Sequence, residues 1–259
     1  MKLPKSYDVI GNIAILKFPE KIKAEEKKRV ASKLLHEMRS IKTVFEKTEK
    51  IKGKLRKLRL KHLAGIKKTE TIHKESGCLF KVDVKKCYFS PRLSDERIVI
   101  ARKVKMNDKV LVMFGGVAPY AIVISKLSRC KKIVSVEIGK ECCKYARENI
   151  KLNKLNNVEI IKGDVKKVIK IYKKEKFDVV VMPRPNLKED FLKEAFLSVS
   201  KRGKFFYRVF GKNEDLEEMI EKIKKEAKKR NEKVKILSVR KSGEIAPYKY
   251  RWMVEFKLM

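Results

Sequence analysis

From Lys105 onward the chain alternates apolar strands with amphipathic helices, and this grammar limits the fold more than any other feature. "KVLVMF" predicts a buried strand, "GGVAPYAIVISKL" a glycine turn opening a helix, and "KIVSVEI" a second strand. The helix "KECCKYARENIKLN", the strand "VEIIKGD", the helix "VKKVIKIYKKE" and the strand "FDVVVMP" follow. Next come a helix around "KEDFLKEAFLSV" and the strand "KFFYRVF". The chain closes with the long helix "NEDLEEMIEKIKKEAKKR" and two strands, "KVKILSVRKS" and "YRWMVEFKL". Strands that must be joined through helices run parallel and are covered on both faces, so the expected class is α/β, a doubly wound parallel sheet with antiparallel strands at its C-terminal edge.

Residues 1–90 follow a different pattern. "SYDVIGNIAILKF" reads as two short strands around the Gly11-Asn12 turn. After Pro19, the residues Ile22, Val30, Ala31, Leu34, Leu35 and Met38 recur at helical spacing within a lysine-rich segment. "LRKLRLKHLAG" and "ETIHKESGCLFKVDVKKCYF" alternate apolar with charged residues, as half-exposed strands do. We therefore expect a small basic α+β domain over 1–90 that binds RNA, preceding a Rossmann-like domain over 91–259.

The charge supports a polyanionic partner. Of the 259 residues, 68 are Lys or Arg against 32 Asp or Glu, a formal net charge of +36 spread along the whole sequence. A Lys-rich proteome is the alternative source of such charge, but there Glu rises with Lys, and here it does not keep pace. The five cysteines, Cys78, Cys87, Cys130, Cys142 and Cys143, contain no CxxC pair and no zinc-finger spacing, so no metal site is expected. Their odd number, with no signal-peptide pattern, predicts reduced thiols and a cytoplasmic protein. No apolar run reaches the length of about 18 residues that a membrane span needs, so no membrane association is expected.

Three strand ends carry a candidate cofactor site. The first glycine turn, "VMFGGVAPYAI", departs from GxGxxG, and a dinucleotide fingerprint is correspondingly weak. Glu137 ends the second strand about twenty residues on, where an acid binds ribose hydroxyls, and Asp164 ends the third. Glycine turn, Glu and Asp at successive strand ends form the layout of a Rossmann-like class I methyltransferase that uses S-adenosyl-L-methionine. An ordinary α/β domain whose strands happen to end in acids is the competing reading.

The segments "TETIHKESGCLFKVDVKKCYFSPRLSDER", "MFGGVAPYAI", "ENIKLNKLNNVEIIKGDV" and "APYKYRWMVEF", with the opening "SYDVIGNIAIL", resemble the archaeal and eukaryotic tRNA (guanine-37-N1)-methyltransferases. The resemblance runs over nearly the whole chain, and SPRLSDER is its most specific block. It implies Glu96 as general base on guanine N1 and Arg56 as the cation that stabilises charge developing on the base oxygen, with Arg59 close enough to blur that assignment. It also implies Arg97, Phe114, Gly115, Gly116, Val117, Pro119, Glu137, Ile138, Asp164, Val165 and Pro183 as cofactor-binding positions. The chemistry is consistent: a weakly acidic ring nitrogen needs a nearby carboxylate, and charge shifted to oxygen needs a cation. The implied partner is tRNA, gripped at the anticodon stem-loop by a monomer.

Two residues depart from the pattern. Pro183 in "VMPRPNL" stands where the family has an Asn that helps hold the target base, and proline offers only its carbonyl. Arg184 and Asn186 lie nearby as replacements. Val112 stands where the family often has an Asp. The resemblance further implies that the sequence starts in the family's second module, without the one that checks the tRNA elbow. Two further functions are therefore carried forward: a wyosine-pathway tRNA aminocarboxypropyl transferase, and an RNA-binding relative that has lost catalysis. Outside the implied site, Arg92 is read evenly as a phosphate contact or a local ion pair. His73, Cys142 and Cys143 are read as structural, and Trp252 as core with a possible stacking role shared with Tyr248.

Overall fold

The computed structural model of the protein describes residues 7–48, 58–172, 175–183 and 189–259. In the first part, β1 (Asp8–Ile10) and β2 (Ile13–Leu16) form the expected hairpin, with Gly11 at φ +55°. A Cβ at Gly11 would lie 2.1 Å from Thr71 Oγ1, so this turn needs glycine for both its backbone and its neighbour. Helix α1 (Ala24–Glu37) buries Val30, Ala31 and Leu34 against the sheet. It starts four residues later than the apolar spacing suggests: Pro19–Ile22 close a turn, and Glu25 and Glu26 then occupy the first helical turn, where the dipole favours them. Strand β3 (Thr43–Lys47) pairs parallel with β2 and antiparallel with β4 (Leu60–Gly65), giving the order β1-β2-β3-β4. The sequence reading passed over β3, although "KTVFEK" has the β-branched and aromatic content of a strand.

Strands β5 (Glu70–Glu75) and β6 (Cys78–Asp83) form a second hairpin around Ser76 and Gly77, both at positive φ. A single turn of 3-10 helix at Pro91–Leu93 leads into α2 (Ser94–Lys103). The alternating elements follow as β7 (Lys109–Met113), α3 (Pro119–Ser128), β8 (Lys132–Glu137), α4 (Lys140–Leu152), β9 (Val158–Lys162), α5 (Val165–Ile171), β10 (Phe177–Met182), α6 (Leu192–Ser198), β11 (Val199–Gly211), α7 (Asp215–Lys228), β12 (Val234–Ala246) and β13 (Lys249–Leu258). Among the described residues they build one seven-stranded sheet in the order β12-β13-β11-β10-β7-β8-β9. β13 runs antiparallel to both β11 and β12, whereas β9, β8, β7, β10 and β11 are parallel. The order reverses at β7, between β8 and β10, and the crevice outside the strand ends there is where such sheets bind ligands.

Two cores flank the sheet. One includes Val110, Val112, Val179, Val181 and Phe206 with α3, α4, the β5–β6 hairpin and residues of β1 to β3; the other includes Leu111, Val180 and Phe205 with α5, α6 and α7. The hairpin is fastened to α4 through side chains: Asn149 accepts from the Lys81 amide at 2.7 Å and Asn153 from the Leu79 amide at 2.9 Å. Each Asn also donates to the carbonyl of the same residue. A disulfide between Cys87 and Cys142 makes a further tie and overturns the expectation of reduced thiols throughout. Sequence spacing gave no sign of it because its two cysteines are 55 residues apart and meet only when α4 docks. Cys78, Cys130 and Cys143 are free and buried. Among the described residues no helix is long and apolar enough to cross a membrane.

Candidate active site

The site starts with a strained turn after β7. Phe114, Gly116 and Ala118 have φ of +61°, +58° and +66°, alternating with Gly115 and Val117, before Pro119 occupies the first turn of α3. Two of these left-handed residues carry side chains, and such strain persists only where the surroundings enforce it. Part of the enforcement is visible: a Cβ at Gly115 would lie 2.1 Å from Ser135 Oγ, and the Gly115 amide donates to the Val136 carbonyl at 2.8 Å. The turn thus packs against β8 and opens a cradle at the switch point.

Glu137, at the end of β8, lies beside that cradle. Its Oε2 accepts from the Gly116 amide at 2.8 Å and its Oε1 from the Gly139 amide at 2.7 Å. Asp164 caps α5 through Oδ1, which accepts from the Lys166 amide at 2.9 Å. Ile138 is exposed, Val117 and Val165 are buried, and Phe114 sets its ring edge-on to Phe191 at 5.0 Å. A bent backbone, two carboxylates at neighbouring strand ends and an apolar rim fit a ligand with ribose hydroxyls and an aromatic base.

Across the strand ends from the cradle lies a buried ionic cluster. Glu96, in the first turn of α2, is 3 % exposed, and Arg208, near the end of β11, is also 3 % exposed. Arg208 Nη2 donates to Glu96 Oε1 and to the hydroxyl of Tyr120 on α3, and the Tyr120 hydroxyl donates to the same Oε1 at 2.5 Å. Arg208 Nη1 donates to the Pro183 carbonyl at 2.7 Å. Burial pushes the Glu96 carboxyl up, but the Arg208 guanidinium, with help from Tyr120 and Ser242, outweighs it and holds Glu96 below the ordinary carboxylate range. Burial pushes the Tyr120 phenol far above its usual range. Glu96 Oε2 and Arg208 Nε are buried without hydrogen-bond partners among the described residues.

Glu96 and Pro183 therefore come together, and the cofactor candidates Phe114 to Pro119, Glu137, Ile138, Asp164 and Val165 sit at the adjoining strand ends. Arg97, expected at the cofactor, engages Glu75 while its neighbour Glu96 engages Arg208. It is 1 % exposed, and its Nε and Nη2 form a fork with Glu75 Oε1 and Oε2, both at 2.6 Å. Nη2 also reaches the Ser90 carbonyl at 3.1 Å. The rings of Phe89 and Tyr120 lie 5.3 and 5.6 Å from its guanidinium. Helical geometry explains the separation, since neighbouring residues on a helix point about 100° apart. Arg56, Arg184 and Asn186 lie outside the described residues.

The remaining candidates are structural. His73 Nδ1 accepts from the Gly11 amide at 3.1 Å, so its Nε2 carries the hydrogen that faces Glu75, 3.5 Å away. Trp252 is buried and donates to the Gly211 carbonyl at 3.1 Å, while Tyr248 is exposed. Arg92 pairs with Asp8 at 2.5 Å, a local ion pair, though its partner lies on β1 and not at Asp95 or Glu96. Sequence reasoning missed Arg208 and Tyr120. The available signal was one cation inside the otherwise uncharged run "FFYRVF": at a two-residue period Arg208 shares the face of the fully buried Phe206, and a buried charge requires a partner.

The TRM5/TYW2 methyltransferase domain matches residues 71–237, more than half of the chain, and the TYW2 N-terminal domain matches residues 1–69. The chain belongs to the TRM5/TYW2 methyltransferase family. Among similar proteins of this family is the tRNA (guanine(37)-N(1))-methyltransferase Trm5b of Pyrococcus abyssi, 36% identical over 257 residues, which span 99% of this chain and 76% of that one. Its crystal structure superposes with a TM-score of 0.89 over 98% of this chain and 75% of the other. The complex structure of aTrm5 and tRNALeu superposes with a TM-score of 0.87 at 33% identity, over 98% of this chain and 72% of that one. The tRNA(Phe) (4-demethylwyosine(37)-C(7)) aminocarboxypropyltransferase of Methanocaldococcus jannaschii is 33% identical over 97% of each chain. TRM5/TYW2 membership accounts for the mixed α/β architecture, with the N-terminal α+β unit and the mostly parallel sheet.

Proposed function

We propose that the protein is an S-adenosyl-L-methionine-dependent tRNA methyltransferase that modifies N1 of guanine 37, next to the anticodon. The observation that carries this reading is the buried Glu96 carboxylate, held ionised by Arg208, with Oε2 unpartnered among the described residues and Oε1 tied through Tyr120 to the helix that the strained turn opens. When bound, the cofactor supplies an electrophilic methyl group on a sulfonium. The turn from Phe114 to Pro119, Glu137 and Asp164 would hold its adenosine portion, with Ile138 and Val165 as further contacts. Glu96 Oε2 takes the proton from N1 as the ring nitrogen attacks, and Arg56 is assigned to the base oxygen. Arg97, by its fork with Glu75, serves the site by fixing the start of α2.

The RNA is held by charge. Helix α1 exposes Lys28, Lys33 and nearby cations, and such contacts position a polynucleotide without reading its sequence. The protein acts as a monomer in the cytoplasm on this reading, without a metal.

A second function stays in view because the N-terminal segment matches the TYW2 domain and Pro183 leaves no side-chain amide at the base site. In it the same cofactor donates its aminocarboxypropyl chain. One experiment separates the two: purified protein and unmodified tRNA transcripts are incubated with cofactor labelled separately on the methyl and on the aminocarboxypropyl carbon. Methyl label in the RNA, lost in Glu96→Gln, is the expected result. Chain label would make the protein an aminocarboxypropyl transferase, and cofactor binding without transfer of either label would make it a non-catalytic relative.

A further inference from the structure

The Arg208–Glu96 pair is an ion pair left half made. A guanidinium presents Nε and Nη2 on one edge, and a carboxylate satisfies both with its two oxygens when the fork closes. The Arg97–Glu75 pair closes that fork at 2.6 Å on both arms. At Arg208 only Nη2 engages, on Glu96 Oε1, while Nε and Oε2 remain buried and unpartnered among the described residues. A buried donor and a buried acceptor left unmade have each lost water without gaining a partner. A purely structural pair would be expected to avoid that cost by closing.

The surroundings show what keeps the fork open. Nη1 is committed to the Pro183 carbonyl at the end of β10, and Nη2 is shared between Glu96 Oε1 and the Tyr120 hydroxyl. The guanidinium is thus tied to three elements at once, and Tyr120 adds a second bond to the same Oε1. The two donors that meet the carboxylate with hydrogen-bond geometry, Arg208 Nη2 and the Tyr120 hydroxyl, both go to the same oxygen. Ser242 on β12 lies near enough to favour the carboxylate, but its hydroxyl donates to the Arg251 carbonyl at 3.4 Å. Tyr88 and Arg97 also act on the cluster, Tyr88 on Arg208 and Arg97 on Tyr120.

We propose that Arg208 is a positioning residue of the methyl-transfer site: with Tyr120 it immobilises Glu96 through Oε1 and braces the Pro183 carbonyl, so that Oε2 alone faces the reaction as proton acceptor. This inference rests on the proposed function above and deepens it. Arg208 does no chemistry itself, because a guanidinium does not give up a proton in this range. Its effect reaches the substrate through Glu96.

Two readouts test it, one of them independent of turnover. The first is the carboxylate signal of Glu96, taken as the infrared difference between wild type and Glu96→Gln across a pH series. The second is single-turnover methyl transfer against pH at saturating cofactor. Arg208→Lys keeps a charge but loses the fork, Arg208→Met removes both, and Tyr120→Phe keeps Arg208 while removing the second bond to Oε1. The expected result is that the acid limb of the rate profile and the Glu96 titration both move to higher pH in Arg208→Lys, with the plateau rate down about 100-fold and cofactor affinity within twofold of wild type. Tyr120→Phe moves both in the same direction by less, and it keeps the test open if Arg208→Met does not fold. A pH limb and a Glu96 titration unchanged in Arg208→Lys and Tyr120→Phe would overturn the proposal and leave the methyltransferase reading intact. If wild type transfers no methyl label while the Glu96 titration still shifts, the methyltransferase reading fails and Arg208 retains its hold on Glu96.

Discussion

Two buried ion pairs leave the same helix from adjacent residues, and they differ in one respect. Arg97–Glu75 is saturated: both arms of the fork are made, the Ser90 carbonyl takes a further bond, and Phe89 and Tyr120 flank the guanidinium. Arg208–Glu96 is equally buried, yet it leaves an acceptor and a donor without partners among the described residues. Burial and charge do not separate scaffold from active site here. Incomplete hydrogen bonding separates these two pairs, although Ser135 Oγ, Glu232 Oε2 and Arg251 Nε are likewise buried without partners among the described residues.

That comparison can be broken most forcefully at Glu96. Glu96→Gln removes the proton acceptor while keeping the shape, and methyl transfer should fall by about 10²–10⁴-fold with cofactor binding retained, measured by single-turnover assay and calorimetry. The opposite pattern is expected at the saturated pair. Arg97→Met leaves Glu75 buried with only His73 beside it and should cost about 3 kcal/mol of stability in denaturant titration, with transfer per folded molecule changed far less than in Glu96→Gln.

The same pair should show in acid. Burial pushes the Glu75 carboxyl up, but His73 and Arg97 outweigh it and hold it below its ordinary value. Its contribution is therefore complete above the unfolded carboxyl pKa of about 4.3 and is lost as pH falls through the lower folded value. Glu75→Gln should flatten the fall of Tm in that acid window.

Smaller effects sharpen the contrast at the edges of the molecule. Removing the disulfide with Cys142→Ser opens a 55-residue link between the segment before α2 and the start of α4 and should lower stability by about 2–4 kcal/mol, read as a Tm shift. Arg92→Ala breaks an exposed pair with Asp8 and should change stability by less than about 1 kcal/mol. If Arg92 also meets phosphate, the same variant should reduce the salt slope of tRNA binding.

The alternation of strand and helix after Lys105 was legible because each element carries its own apolar period, and the observed elements follow that reading one for one. The glycine turn, Glu137 and Asp164 could be placed at strand ends for the same reason. Start points were less legible: α1 begins at Ala24 because Pro19–Ile22 take a separate turn, and β3 was hidden in a five-residue run between helix and charge. The pairings were hidden altogether. Nothing local in "SDER" says that Arg97 turns toward Glu75 while Glu96 turns toward a strand more than a hundred residues on. The disulfide is silent in the sequence for the same reason, since contacts of this kind are properties of the packed sheet. Arg208 was the exception that left a trace, as a cation in an apolar strand.

The most direct test is a structure of the protein with an unreactive cofactor analogue and a guanine-37 anticodon stem-loop. The account predicts N1 of that guanine within hydrogen-bond reach, about 2.6–3.2 Å, of Glu96 Oε2, with Oε1 still held by Arg208 and Tyr120. A guanine seated elsewhere, with Glu96 Oε2 turned away from the base or closed onto Arg208 Nε, would contradict it.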